Sequence, residues 1–158
     1  MKLSLFSLIL FGLKLVMRYS AWRYPAFAKR LSEKNFTAQF KTADDSEGRW
    51  FRFKDGRMTS SGGIDGDAEV VLSFKNAKIA AGLLMPPIDQ QEQIDALKDF
   101  KLSMTGPDEL TSWFTRTILL TQTQGWKYGT KQADGSMRYT SMTNGGPVFS
   151  YVKDGKIL

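Results

Sequence analysis

Arg49–Ser61, RWFRFKDGRMTSS, is the stretch on which the fold turns. Trp50, Phe51 and Phe53 lead into Lys54-Asp55-Gly56-Arg57, and an Asp-Gly pair between two strand-like runs is the strongest short-range signal for a β-hairpin. Met58–Ser61 supplies the return strand. Upstream, Phe36, Ala38 and Phe40 alternate with Thr37, Gln39 and Lys41, the period of a strand with one buried face, and Asp44–Gly48 is the polar turn between them. Downstream, Gly62-Gly63 and Gly66 loosen the connection, and Glu69–Phe74, EVVLSF, is rich enough in β-branched and aromatic residues for the centre of a sheet.

Beyond Asn76 the period lengthens. Ile79, Ala80, Leu83 and Leu84 share one helical face, which stops at Pro86-Pro87. Asp89–Asp99 predicts a second helix with Ile94 and Leu97 on one side, and Phe100, Leu102 and Met104 alternate as another strand. Gly106-Pro107-Asp108-Glu109 opens a last helix with proline early and acids in the first turn, where the helix dipole favours them. Leu110, Trp113, Phe114, Thr117, Ile118 and Leu120 or Thr121 give that helix a broad apolar face to about Thr123. The body is therefore α+β, an antiparallel sheet with helices over one side. Such wide apolar faces allow either a dry core or a lined cavity, and the pattern alone favours the dry core.

The 158 residues contain no cysteine and no histidine, which removes thiol nucleophiles, disulfides, Cys/His metal sites and every imidazole base. Phosphate-loop, dinucleotide-binding and EF-hand signatures are absent, and no cofactor is expected. Asp65, Asp67 and Glu69 read as a solvated loop, and Asp44, Asp45 and Glu47 as a polar turn. Residues 1–40 hold seven Lys or Arg against the single acid Glu33, so they carry the whole formal charge of +6. A nucleic-acid binder spreads its cations over a groove with aromatics between them. Here they accompany an apolar run, as at an anionic membrane surface, and nucleic acid is not expected as a partner.

That run, Leu3–Met17, is interrupted only by Ser4, Ser7, Gly12 and Lys14, and as a helix it sets Ser4, Ser7, Lys14 and Arg18 in one narrow polar stripe. Fifteen residues at ~1.5 Å each span about 22 Å, short of the ~30 Å hydrocarbon core, and no small-x-small cleavage site follows. The helix either packs on its own domain or a partner, or meets a membrane through Leu5, Leu8, Ile9, Leu13, Lys14, Arg18, Trp22 and Arg23. A short second helix, Pro25–Lys34, follows with proline at its first position.

RWFRFKDGRMTSS, then AEVVLSFKNAKIAAGLL, then KDFKLSMTGPDELTSWF, in this order and spacing, resemble the sterol carrier protein type 2 domain. The resemblance implies a five-stranded sheet covered by helices that enclose an apolar tunnel for a sterol, fatty acid or acyl ester. By position, that tunnel would be lined by Val71, Phe74, Ile79, Leu83, Leu84, Ile94, Leu97, Phe100, Leu110, Trp113, Phe114 and Ile118. Residues 1–33 would be a basic apolar helical segment, 34–124 the lipid-binding domain and 125–158 a strand-rich extension. The expected role is non-catalytic lipid binding in the cytoplasm, at the inner membrane surface or beside a larger enzyme subunit. In the extension, Lys153-Asp154-Gly155-Lys156 signals a hairpin with almost no return strand, an edge to be completed by another chain or by further sequence. TNGGPVFSYVKDGKIL resembles the opening strands of molybdopterin-dependent oxidoreductases of the transhydroxylase kind. That likeness implies an alternative role as an accessory or leader module of such an enzyme.

Overall fold

A computed structural model describes residues 4–85, 89–123, 130–143, 146–154 and 156–157. The chain forms two compact units, residues 1–123 and 124–158.

In the first unit the sheet runs β3(Arg57–Gly62), β2(Gly48–Lys54), β1(Phe36–Thr42), β4(Val70–Phe74), β5(Leu102–Thr105). The hairpin pairs Phe53 with Met58 and Lys54 with Arg57, and both turn residues are left-handed, Asp55 at φ 51° and Gly56 at φ 75°. This is the backbone an Asp-Gly turn is chosen for. Its neighbours are antiparallel as expected, with one exception: β1 runs parallel to β4, Ala38 against Val70 and Phe40 against Leu72. Glu69–Phe74 is central, as its composition indicates, but it is reached by a crossover from the far edge. Residues 63–69 make that crossing over the polar face of β1. The Gln39 amide holds the crossing loop by donating to Asp65 O and accepting from Asp65 N, both at 2.9 Å. Arg52 joins Thr37 Oγ1 at 3.1 Å and Asp65 Oδ2 at 2.8 Å, and the Glu69 carboxylate accepts from Thr37 N at 2.7 Å. Asp65 and Glu69 thus secure the crossover, and no cluster of metal-ligating side chains occurs among the described residues.

The other face carries the core. Phe36, Phe40, Phe51 and Phe53 from the strands meet Trp113 and Phe114 of α5(Asp108–Thr123), with ring centroids 5.2 Å apart for Phe53 and Trp113 and 5.4 Å for Phe40 and Phe114, and Phe74 stacks beside Phe40 at 6.4 Å. Helix α2(Pro25–Leu31) is tied to α5 through Arg30, which donates from Nε to Thr117 Oγ1 at 2.8 Å, while Trp113 Nε1 donates to Glu33 at 2.9 Å.

Helix α1(Leu5–Arg23) is a working part of this unit. It buries Phe6, Leu10, Met17 and Ser20, and Phe6 meets Phe74 edge-on at 5.9 Å. Ser4 caps it by accepting from Ser7 N at 3.0 Å. The Glu47 carboxylate, from the turn between β1 and β2, accepts from the Ser4 hydroxyl and from Ser7 Oγ at 3.1 Å. A negative group at a helix N-terminus is favoured by the dipole, so half of the polar stripe read from the sequence is an anchor. At 19 residues α1 is also long and apolar enough, by length and composition, to cross a membrane.

Helices α3(Ala77–Leu84) and α4(Gln90–Lys98) complete the unit, capped by the side chains of Asn76 and Asp89 respectively. Pro86-Pro87, expected to stop α3, lies outside the described residues. Phe100, expected to begin β5, instead closes α4. Phe100 N donates to Leu97 O at 3.3 Å and Lys101 N to Ala96 O at 2.8 Å, the paired bonds of a Schellman cap, and Phe100 takes the left-handed cap position at φ 55°.

The second unit is a four-stranded antiparallel sheet, β6(Thr130–Lys131), β7(Met137–Thr143), β8(Gly146–Lys153), β9(Lys156–Ile157). The Asp134-Gly135 turn joins β6 to β7, with Gly135 at φ 83°. Where almost no return strand is expected, the two residues of β9 do pair back on β8, Ile157 with Val152 and Lys156 with Lys153. Asn144, Gly145 and Gly155 lie outside the described residues.

Candidate functional site

The sheet side of α5 is filled. Phe74 and Phe114 are 1% and 0% exposed among the strand aromatics, and Trp113 spends its indole N–H on Glu33. These three residues, expected on a tunnel wall, form solid core, because seven aromatic rings fill the space between strands and helix.

The hollow lies one layer further out. Between α1, the end of α3 and α5 is an apolar cavity of about 260 Å³. Ile9, Leu10, Gly12, Leu13 and Val16 line it from α1, Leu84 from α3, and Ile118 and Thr121 from α5. The only polar side chain among the described residues of that wall, Thr121, donates its hydroxyl to Ile118 O at 2.6 Å, so its polarity is satisfied within the helix. Two residues of the expected lining, Leu84 and Ile118, meet here. Ile9 and Leu13, expected to face a membrane or partner, meet them.

The remaining expected residues are elsewhere. Val71 is half-buried and opposite in strand parity to the buried Val70, Leu72 and Phe74, so it faces away from the helices. Ile79 and Leu83 sit in a shallow groove with Glu92, Asp95 and Ala96 of α4. Leu110 is half-buried in the first turn of α5, Ile94 and Leu97 are exposed, and Phe100 is 90% exposed because the cap geometry turns it out of the strand.

Gly12, Leu10, Val16 and Thr121 were not among the sequence candidates. Gly12 carried a signal: a glycine inside an apolar helix costs helix stability, and here a Cβ on it would meet nothing within 4 Å.

On the opposite flank of α1 a groove of about 560 Å³ runs between its second half, Leu31 and strand β3. Its floor is Met17, Leu31 and Met58, and its rim carries Lys14, Arg18 and Arg57. Between groove and cavity, the outer face of α1 is apolar and exposed: Leu8 is 56% exposed, Leu15 49%, Tyr19 55% and Trp22 80%. Leu5 is also exposed, and Arg23 lies over the Tyr24 ring at 5.4 Å.

No protein family and no curated protein matches the chain. Among solved structures it is similar to a UbiJ-SCP2 ubiquinone synthesis protein, with a TM-score of 0.54 and 17% identity over 73% of this chain and 93% of that one. A weaker likeness, TM-score 0.43 and 12% identity, covers 65% of this chain and 15% of the sec-alkylsulfatase Pisa1 from Pseudomonas sp.. The fold of this chain is thus of the sterol carrier type 2 kind. The resemblance of residues 143–158 to molybdopterin-dependent enzymes gains no support from these comparisons.

Proposed function

We propose that the cavity between α1, α3 and α5 holds the apolar chain of a lipid-like ligand, and that the protein acts as a binding or carrier module without chemistry of its own. The observation that carries this reading is the wall itself, a hollow whose described lining is aliphatic and offers no titratable group, in a fold of the sterol carrier type. Such a wall selects by burial alone. With ~30 Å³ per water-sized group, 260 Å³ accommodates a segment of about nine carbons. At ~0.8 kcal/mol per methylene that segment contributes about 7 kcal/mol before the costs of ordering. The volume lies just below the roughly 300–1,000 Å³ of small-molecule pockets, which favours one fatty or prenyl chain over a rigid four-ring sterol. Fatty acids and acyl esters remain the ligand class of first choice.

Calorimetric titration of the full chain with saturated fatty acids of increasing length tests the reading. Affinity should rise about fourfold per methylene and level off near ten carbons. An affinity independent of chain length, or no uptake at any length, would overturn it.

A further inference from the structure

Among the described residues several exposed cations of the fold, Lys29, Lys75 and Arg116 among them, have no carboxylate partner, but the groove beside α1 brings three unpaired cations around one concavity. Arg30, Lys34, Lys41, Arg52, Lys98 and Lys101 each pair with a carboxylate. Among the described residues Lys14, Arg18 and Arg57 pair with none, and no acidic side chain lines the groove they rim. Three cations around one concavity repel one another, so the arrangement gains most from an anion brought from outside. Immediately next to the groove, Leu8, Leu15, Tyr19 and Trp22 expose 49–80% of their surface along the outer face of α1. Exposed aliphatic side chains with Trp and Tyr beside them and cations along one margin make up an interfacial helix.

We propose that α1 seats this protein on an anionic phospholipid bilayer, with its outer face in the headgroup layer and a lipid phosphate in the Lys14–Arg18–Arg57 groove. Charge complementarity selects this occupant over a second copy of the chain. A two-fold contact through α1 would set Lys14, Arg18 and Arg23 near their own counterparts, which is unfavourable. The groove adds what an amphipathic helix alone lacks, since Arg57 comes from β3 and places one cation of the site on the sheet. Crossing the membrane would instead require α1 to give up Phe6, Leu10, Met17 and the Glu47 anchor. The docking stands whether or not the cavity holds a ligand.

The test is flotation of the full chain with vesicles of phosphatidylcholine alone and of phosphatidylcholine mixed with phosphatidylglycerol. Binding is expected only with the anionic lipid, with a blue shift of emission that Trp22→Phe abolishes. Each basic residue near such a surface contributes about a fivefold factor, so the triple variant Lys14→Gln, Arg18→Gln, Arg57→Gln should bind about a hundredfold more weakly. Lys75→Gln, Lys98→Gln, Lys101→Gln removes the same net charge elsewhere and should leave binding within about threefold. All six side chains lie outside the buried core, and circular dichroism checks each variant. Leu8→Gln with Leu15→Gln, both exposed, should also release the protein. Equal losses in the two triple variants, equal binding to neutral vesicles, or no binding to either vesicle would overturn the proposal, the last outcome leaving a protein as the occupant of this face. Fatty-acid titration reads the cavity separately, so loss of one activity does not imply loss of the other.

Discussion

Gly12→Leu separates a functional hollow from an idle one, because stability and affinity should move in opposite directions. Gly12 lies within α1 and faces the cavity, and a side chain there meets nothing within 4 Å of its Cβ. Removing a helical glycine gains about 1 kcal/mol, and burying part of a leucine adds about another. For a unit of this size the sum raises the melting temperature of the ligand-free protein by about 8 °C. The four added carbons, at ~30 Å³ each, occupy nearly half of the 260 Å³. A bound chain then loses about four buried methylenes, ~3 kcal/mol or roughly a hundredfold in affinity. Gly12→Ala is the control, with most of the helix gain and about a quarter of the filling. Thermal unfolding without ligand and displacement of a fluorescent fatty acid report the two quantities. A stabilised Gly12→Leu protein that keeps its affinity would refute the cavity as the ligand site, and a destabilised one would refute the hollow.

Phe100→Gly should stabilise the protein by about 1 kcal/mol in urea unfolding and leave ligand affinity unchanged, since Phe100 is a 90% exposed residue at a left-handed cap; a loss of affinity would return it to the binding surface. Glu47→Gln weakens the anchor at the α1 N-terminus and should cost about 1 kcal/mol in the same assay, whereas an unchanged midpoint would mean that Ser4 and Ser7 do not depend on that carboxylate. Asp44 is held at about 2, below its usual 3.8, by the hydroxyls of Thr42 and Ser46 and by Ser46 N–H. Its lowered value means that its contribution is full above pH 3.8 and lost as pH falls through about 2. Carboxyl NMR should show that titration in the wild type, and a midpoint near 3.8 would refute the turn geometry.

Local chemistry made the sheet legible. The hairpin at Asp55-Gly56 and the polar turn before Gly48 each act within a few residues of themselves. The parallel pairing of β1 with β4 was hidden because it depends on a tertiary contact, the Gln39 amide closing on the Asp65 backbone across the sheet. Phe100 continues the alternation of Leu102 and Met104, yet the Schellman cap sets its backbone and breaks the phase.

The site was legible only in part for a related reason. Helical periodicity identifies an apolar face without saying which neighbour it meets. Trp113 and Phe114 share a face with Ile118, but the first two meet strand aromatics and Ile118 meets α1. Helix α1 is apolar almost all round, so its pattern could not divide Phe6, Leu10 and Met17, which are buried, from Leu8, Leu15 and Trp22, which are not. The glycine at position 12, conspicuous in such a helix, marked the side that faces open space.

The most direct measurement is the set of intermolecular NOEs between a bound saturated fatty acid and methyl-labelled protein. The account predicts contacts from the ligand chain to the methyl groups of Ile9, Leu13, Val16, Leu84 and Ile118. Contacts confined to Ile79, Leu83, Ile94 and Leu97, with the first set silent, would contradict it.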